Sequence, residues 1–181
     1  MEQNLENTVA LLARTPSALS ALLRDLPDGW IFTNEGDGTW TVYDVIGHLV
    51  HTERGNWLPR AQLILNSGES KAFQPLDRWA AARGGRSAPL SQLLDDFAGL
   101  RSKNLEEIRA WNLQPDDLNR RGIHPNLGPV TLSELLSTWA AHDITHLHQI
   151  SRILAHQYRA AVGPFCRFLG VMHCSGHGAE A

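Results

Sequence analysis

The chain has 181 residues, of which 43% are hydrophobic and 19% are charged, a balance typical of one globular domain. Its formal net charge is -3 at pH 7, and it has no block of basic residues of the kind that binds nucleic-acid phosphates. No apolar run reaches the roughly 18 residues that span a bilayer, and no basic segment precedes an apolar run near the start. Its two cysteines, Cys166 and Cys174, form no disulfide framework. We expect a cytoplasmic protein that binds neither nucleic acid nor membrane.

Apolar residues recur at helical spacing in four long segments, while β-branched residues are sparse, so we expect an all-α fold. The first segment is interrupted before Pro16, and Thr15 is predicted to cap its second piece. The second segment starts at Thr41, which is predicted to form a capping box with Asp44. Pro59 should kink this second helix or end its first part.

The third helix is predicted to open at Ser87 or Pro89, and a long connection rich in glycine and proline follows it. The centre of this connection, RRGIHPNLGPVTL, could fold back as a small hairpin. Thr131 and Glu134 repeat the capping-box pattern at the start of the fourth helix, which should end near Ala160.

These segments predict an all-α four-helix bundle with one long crossover. We assign residues 1–162 to the bundle and residues 163–181 to a short C-terminal helix and a tail. The boundary follows from Gly163 and Pro164, which break the last long helix.

Three histidines fall on the inward faces of the second and fourth predicted helices. His142 and His146 are one helical turn apart and share a face with Ile150, and His48 shares a face with Thr52. Helical bundles build metal sites from side chains on facing helices. A site of His48, His142 and His146 would keep open coordination positions and suits zinc, nickel or Fe(II).

The histidine spacing has a second interpretation, since helices without metal also contain such pairs. The sequence HDITH lacks the glutamate of a zinc-protease HExxH helix, so protease chemistry is not indicated. A neutral histidine on an apolar face costs free energy unless it is hydrogen-bonded or bound to a metal. Three such residues on two inward faces are explained more simply by one shared ion than singly.

Several other polar residues could contribute to the site or to the fold. Asp143 could orient a ligating imidazole through a hydrogen bond, or it could form an ordinary surface pair. For Glu53 we expect a structural ion pair, for His51 a solvated position or a pair with nearby acids, and for His148 a place at the surface or an interface. His124 lies in the long connection, from which it could reach several places. A tail group could also bind metal: His173, Cys174 and His177.

No catalytic nucleophile is identified, because no serine or cysteine has a base nearby in a recognised pattern. Neither a GxGxxG pattern nor a Walker A loop occurs, so no nucleotide-phosphate loop is predicted. Four tryptophans could line a pocket above the metal or pack in the core: Trp57, Trp79, Trp111 and Trp139.

The order of several short motifs resembles that of one protein family. The motifs are, in chain order, Trp40-Thr41-Val42, Ile46-Gly47-His48-Leu49 with Glu53, TLSELL at 131–136, HDITH at 142–146 and Gln149-Ile150. This order resembles the DinB/YfiT-like superfamily over about residues 2–160. The tail from Pro164 onward is outside the pattern.

The resemblance implies a four-helix bundle with an up-up-down-down type of connection, and a three-histidine metal site at the positions of His48, His142 and His146. Members with an assigned activity are thiol-dependent S-transferases or isomerases that use bacillithiol, mycothiol or glutathione. We therefore expect a homodimer that binds a divalent metal, a low-molecular-weight thiol and a small-molecule substrate.

Two classes of function follow from these observations. The first is a metal-dependent thiol S-transferase or isomerase. A positively charged pocket beside the metal would favour it, since these thiols carry carboxylates, and the candidate residues are Arg54, Arg60 and Arg152. The second is a non-catalytic metal-binding bundle that acts in stress response or as an interaction module. A filled pocket without an open coordination position would favour this second class.

Overall fold

The computed structural model describes residues 4–86 and 88–174, and most of these residues are helical. The α-helices are α1 (Leu5–Leu12), α2 (Thr15–Leu23), α3 (Asp28–Phe32), α4 (Val42–Gly55), α5 (Trp57–Ser67), α6 (Ala80–Arg83), α7 (Leu90–Ala110), α8 (Pro115–Leu118) and α9 (Leu132–His156). The strands β1 (Arg121–His124) and β2 (Gly128–Thr131) pair antiparallel. Short 3₁₀ turns occupy Gly68–Ser70, Gly163–Phe168 and Gly170–Met172.

Four helical segments form the bundle: α1 continued by α2, α4 continued by α5, α7, and α9. Helix α4 packs against both α7 and α9, α2 packs against α7, and α1 and α5 pack against α9. The predicted all-α four-helix bundle is therefore confirmed. None of the described helices is long and apolar enough to cross a membrane.

The sequence predicts a kink or break at Pro59, but the second segment breaks at Asn56, three residues earlier. Asn56 has φ -109° and ψ -63° and separates α4 from α5. Pro59 lies in the first turn of α5, where a missing N–H removes no bond within the helix. The sequence predicts Thr15 as the cap of α2, but Thr15 is the first residue of this helix. Arg14 occupies the N-cap position, where its side chain makes no capping hydrogen bond.

Other element boundaries also differ from the predictions. The stretch between the first and second predicted segments contains α3, which was not predicted, and α9 ends at His156, earlier than Ala160. The predicted C-terminal helix is replaced by 3₁₀ turns. Helix α7 begins directly after Pro89, one of the two predicted start positions, while Ser87 lies outside the described residues.

The hairpin confirms the fold-back predicted within the long connection. Its strands pair from Arg121 with Thr131 to His124 with Gly128. Thr131 ends β2 and also caps α9 through the predicted box with Glu134. The hairpin therefore leads directly into the longest helix of the bundle.

The bundle core consists of two apolar clusters separated along the helices by buried polar residues. On α7, Phe97 belongs to one cluster and Leu105 to the other, and the buried Arg101 lies between them in sequence. Glu53 lies between the cluster residues of α4 and those of α5, Asp143 lies between the two clusters on α9, and both are buried. Charged residues are rarely buried this fully unless they are paired, so these three side chains are expected to bond to one another.

Candidate metal site

The structure brings together the three histidines that the sequence predicts as ligands. His48 comes from α4, and His142 and His146 come from α9. The Nε2 atom of His142 lies 3.1 Å from Nε2 of His48 and 3.1 Å from Nε2 of His146. One possible ligand atom from each residue lies within 4.8 Å of the others, so the three could hold one metal ion.

The apolar faces of the two helices carry these histidines inward. On α4, Val45 and Leu49 flank His48 and are almost completely buried. On α9, Trp139 and Ile150 are fully buried on the face shared with the histidine pair. Burial of the two apolar stripes therefore points the imidazoles at one another.

The donor set fits a divalent cation better than it fits a hydrogen-bonded cluster. An imidazole nitrogen has either one N–H or one lone pair, so Nε2 of His142 cannot bond well to both neighbours. Nδ1 of His142 is also buried, without a hydrogen-bond partner among the described residues. A cation that accepts three Nε2 lone pairs would satisfy the atoms that now face one another.

Gln149 sets the tautomer of one ligand. Nδ1 of His146 lies 2.7 Å from Oε1 of Gln149, one helical turn further along α9. An amide oxygen only accepts, so the ring proton must be on Nδ1, which leaves the Nε2 lone pair free for a metal. Residues that hold a ligating imidazole in this way strengthen metal binding.

Burial keeps all three rings in the neutral form that binds metal. Burial, followed by repulsion from His146, lowers the pKa of His48 to about 3. Burial and the two neighbouring imidazoles hold the pKa of His142 well below its usual value. The pKa of His146 is also lowered by burial, although its bond to Gln149 and the charge of Asp143 oppose the shift.

Asp143 has neither of the roles that the sequence suggests. It is buried and makes no hydrogen bond to an imidazole of the described residues, and it receives two hydrogen bonds from Arg101, of 2.6 and 3.0 Å. Glu53 accepts a third bond from the same guanidinium at 2.7 Å, which agrees with the predicted structural ion pair. Burial alone would lower the pKa of Arg101, but these bonds to Asp143 and Glu53 outweigh it and raise the pKa.

These residues form a polar layer that ties the helices together. Arg101 also donates to the backbone oxygen of Leu12 at 2.7 Å. Asn104 donates to the backbone oxygen and to Oε2 of Glu53, and Trp139 donates to Oε1 of Glu53 at 2.8 Å. Arg101 and Asn104 were not predicted from the sequence, although their helical spacing from the apolar residues of α7 places them on its buried face.

A cavity of about 590 Å³ borders all three imidazoles. Trp40 lines it and lies close to two ligands, with ring centroids 5.0 Å from His48 and 6.2 Å from His146. Trp79 also lines the cavity, and its ring meets that of Trp40 edge to face with the ring centroids 5.3 Å apart. The candidate metal site is therefore reached from a cavity with aromatic walls, and the position of Trp40 in that cavity was not predicted from the sequence.

The remaining tryptophans pack in the core. The rings of Trp57 and Trp139 stack with their centroids 5.9 Å apart. Both belong to the apolar cluster that contains Leu105, and Trp111 packs against that cluster. Of the predicted arginines, Arg60 and Arg152 line the cavity, together with Arg78, which was not predicted. Arg54 instead pairs with Asp96 on α7. The cavity thus has both aromatic and cationic walls.

The other histidines that the structure describes do not join the cluster. His51 is partly buried on α4, and His148 is exposed, in agreement with its predicted surface position. His124, from β1, lines the cavity but is not among the three clustered ligands. In the tail, Nε2 of His173 lies 2.8 Å from the backbone oxygen of Cys166, and His177 lies outside the described residues.

These features define a helical-bundle protein able to hold a metal ion through three histidines beside an open cavity. The model of the DinB superfamily matches residues 11–150, so the chain belongs to this superfamily. The resemblance inferred from the short motifs is therefore confirmed.

Curated relatives and a solved structure agree with this assignment. The chain is 24% identical over 157 residues to the "Putative metal-dependent hydrolase YfiT" of Bacillus subtilis (strain 168), covering 83% of this chain and 86% of that protein. It is 26% identical over 140 residues to the "Putative metal-dependent hydrolase OB0782" of Oceanobacillus iheyensis, covering 76% and 78%. The structure of Bacillus subtilis YfiT superimposes with a TM-score of 0.73 at 23% identity, covering 89% of this chain and 90% of that one. At this identity the structural likeness shows the fold.

Proposed function

We propose that this protein is an enzyme whose three histidines hold a divalent cation, zinc, nickel or iron, beside a small-molecule substrate. The observation that supports this most strongly is the cavity of about 590 Å³ that borders all three imidazoles. Structural metal sites are closed by protein ligands, whereas catalytic sites keep an open position. The cavity therefore favours an enzyme over a non-catalytic bundle that acts in stress response or as an interaction module.

Within this class we propose thiol S-transfer with a low-molecular-weight thiol. A bound divalent cation lowers the pKa of a thiol that it coordinates and so supplies thiolate at neutral pH. In the transfer, the sulfur forms a bond to an electrophilic carbon, and the leaving group departs with the electron pair of the bond that breaks. The thiol proton passes to solvent.

The polar residues of the cavity are compatible with this chemistry. Among the described lining residues, Glu35 alone carries a carboxylate, and it is paired with Arg152 at 2.7 Å. A thiol whose pKa is lowered by the metal needs no carboxylate base. The positive charge of Arg60 in the same cavity suits a thiol that carries carboxylates.

Hydrolysis is the second candidate. The relatives in Bacillus subtilis and Oceanobacillus iheyensis carry the name "putative metal-dependent hydrolase". A cation held by three histidines can also lower the pKa of a bound water, without help from a carboxylate. The same site could therefore serve a water nucleophile.

A conjugation assay tests the first candidate. Zinc-, nickel- and iron-loaded protein would be incubated with bacillithiol, mycothiol or glutathione and a chloro-aromatic acceptor, and released chloride and thioether would be measured. We expect turnover with at least one thiol, and background turnover in the His48→Ala variant, because that variant lacks one metal ligand.

The matched control is His148→Ala, which removes an exposed histidine from the same helix as the ligand pair. This variant should keep the wild-type rate. If the wild-type protein is no faster than the His48→Ala variant with any thiol and any metal, S-transfer is rejected. Metal-dependent cleavage of a nitrophenyl ester without thiol would then favour hydrolysis.

A further inference from the structure

Arg60, on α5, lines the metal cavity and has an unusual set of partners. One of its N–H groups donates to the backbone oxygen of Gln74 at 3.1 Å, and its guanidinium lies 5.2 Å from the ring centroid of Phe73. No carboxylate of the described residues pairs with it within 4.0 Å. Its remaining donors can therefore serve an anion in the cavity.

His124, at the end of β1, lines the same cavity and has a defined tautomer. Its Nδ1 accepts hydrogen bonds from the backbone N–H groups of Asn126 at 3.2 Å and Leu127 at 3.3 Å. A ring nitrogen that accepts has no proton, so the proton of the neutral ring is on Nε2. Partial burial and the charge of Arg60 lower the pKa of His124, which keeps the ring neutral at pH 7.

Phe73 holds these two side chains in place. Its ring is buried, lies beneath the guanidinium of Arg60 and meets the ring of His124 edge to face at 6.1 Å. Its backbone N–H donates to the oxygen of Ile123 at 2.9 Å, which fastens this loop to β1. The guanidinium of Arg60 and the imidazole of His124 are therefore both held by contacts with Phe73.

Gly122 allows β1 to approach so closely. A Cβ atom at this position would lie 2.7 Å from Cγ1 of Ile64 and 3.1 Å from Cε1 of Phe73. Any side chain here would push the hairpin away from α5 and the Phe73 loop. The arrangement of Arg60 and His124 thus depends on a close contact between two elements that are distant in the sequence.

We propose that Arg60 and His124 form an anion-binding subsite that takes the carboxylate of a small organic acid. Arg60 supplies a positive charge and His124 supplies an Nε2–H donor, while Trp40 and Trp79 provide an apolar wall for the rest of the ligand. The proposal rests on the proposed function, because it names the substrate class of the same cavity. Of the other two cavity arginines, Arg152 adds little net charge, since Glu35 neutralises it, and the charge of Arg78 acts on the three imidazoles, whose pKa values it helps to lower.

Benzoate binding tests this subsite, with benzamide as the neutral ligand of the same shape. Zinc-loaded protein would be titrated with each ligand, and binding would be followed by tryptophan fluorescence, since Trp40 and Trp79 line the cavity. We expect benzoate to bind at least tenfold more tightly than benzamide. Equal affinities would overturn the proposal.

Variants separate the subsite from the metal. Arg60→Gln should remove the preference for benzoate and Arg60→Lys should keep much of it, because the lysine retains the charge. The matched control is Arg54→Gln, an exposed arginine outside the cavity that pairs with Asp96. If Arg60→Gln binds benzoate like the wild type while His146→Ala does not, the carboxylate binds at the metal and the proposal is wrong.

The tautomer of His124 gives a readout that does not depend on a variant. Nitrogen-15 NMR at pH 7.5 should show the ring proton on Nε2, and a proton on Nδ1 would overturn the assigned role. His124→Phe keeps an aromatic ring beside Phe73 and should weaken benzoate binding about tenfold. A protein that prefers benzoate but shows no S-transfer would support the subsite and reject the proposed reaction.

Discussion

At the scale of single residues, three imidazoles, two of them buried and that of His142 partly buried, face one another with too few hydrogen-bond partners among the described residues. Nε2 of His142 has two Nε2 neighbours at 3.1 Å, and its Nδ1 has no partner in that part of the chain. Burial keeps the rings neutral, and Gln149 turns the lone pair of His146 toward the others. These features favour a cation, and they can be tested one side chain at a time.

Replacing His146 by alanine should remove bound metal and lower the melting temperature. A ligand at a hundredfold excess over its Kd stabilises the folded state by about 3 kcal/mol, and this contribution disappears with the site. Metal would be measured by elemental analysis of untagged protein, and melting by calorimetry. His148→Ala is the control on the same helix, and equal metal content in the two variants would contradict the site.

Replacing Gln149 by leucine should weaken metal binding roughly 10- to 100-fold, because the Nδ1 proton of His146 loses its acceptor. Competition with a chelating dye would give the affinity. Gln149→Glu keeps an oxygen at the same place and should bind metal at least as well as the wild type. Wild-type affinity in the leucine variant would show that this contact does not orient the ligand.

At the scale of elements, the helices are joined by a buried layer with one arginine at its centre. Arg101 on α7 bonds to α1, α4 and α9 through Leu12, Glu53 and Asp143. One cation and two carboxylates leave this layer with one net negative charge. Its two signs act differently on the imidazoles, because Asp143 opposes the lowering of the pKa of His146, whereas Arg101 helps to lower the pKa of His142.

Replacing Arg101 by methionine should lower the free energy of unfolding by about 3–5 kcal/mol, because two buried carboxylates lose their partner. Urea denaturation would measure the change. Arg54→Met is the matched control, since it removes an exposed pair with Asp96 and should cost no more than about 1 kcal/mol. Similar losses in the two variants would show that the layer contributes little to stability.

At the scale of the whole molecule, the buried imidazoles link folding to pH. The pKa of His48 falls from its ordinary value of 6.5 to about 3 in the folded state, and that of His142 lies well below 6.5. Below pH 6.5 the unfolded chain therefore binds protons that the folded protein does not. The stability present above pH 6.5 is lost progressively as the pH falls toward 3.

The metal-free protein should accordingly lose up to about 1.4 kcal/mol of unfolding free energy per pH unit for each such histidine below pH 6.5. Urea denaturation in the presence of a chelator, at several values between pH 7.5 and 4.5, would show the slope. His48→Leu removes one of these groups and should flatten the slope. Identical slopes in wild type and variant would mean that His48 does not titrate in this way.

Local patterns were sufficient for most of the fold and for the three histidines. The capping boxes at Thr41 and Thr131 and the apolar periodicity predict where α4 and α9 begin and which faces are buried. These are properties of neighbours three or four residues apart, which a helix brings together by its own geometry. Because the histidines share the apolar faces, burial of those faces was enough to predict that they meet.

These local patterns did not predict contacts between segments that are distant in the sequence. The bonds from Arg101 to Asp143 and Glu53 join residues 42 and 48 positions apart, and the hairpin meets Phe73 from about 50 positions away. Such contacts depend on how helices and loops pack against one another, which periodicity within one helix does not encode. For the same reason Asp143 was misassigned, and only the packed bundle shows that Arg60 and His124 line one cavity with the imidazoles.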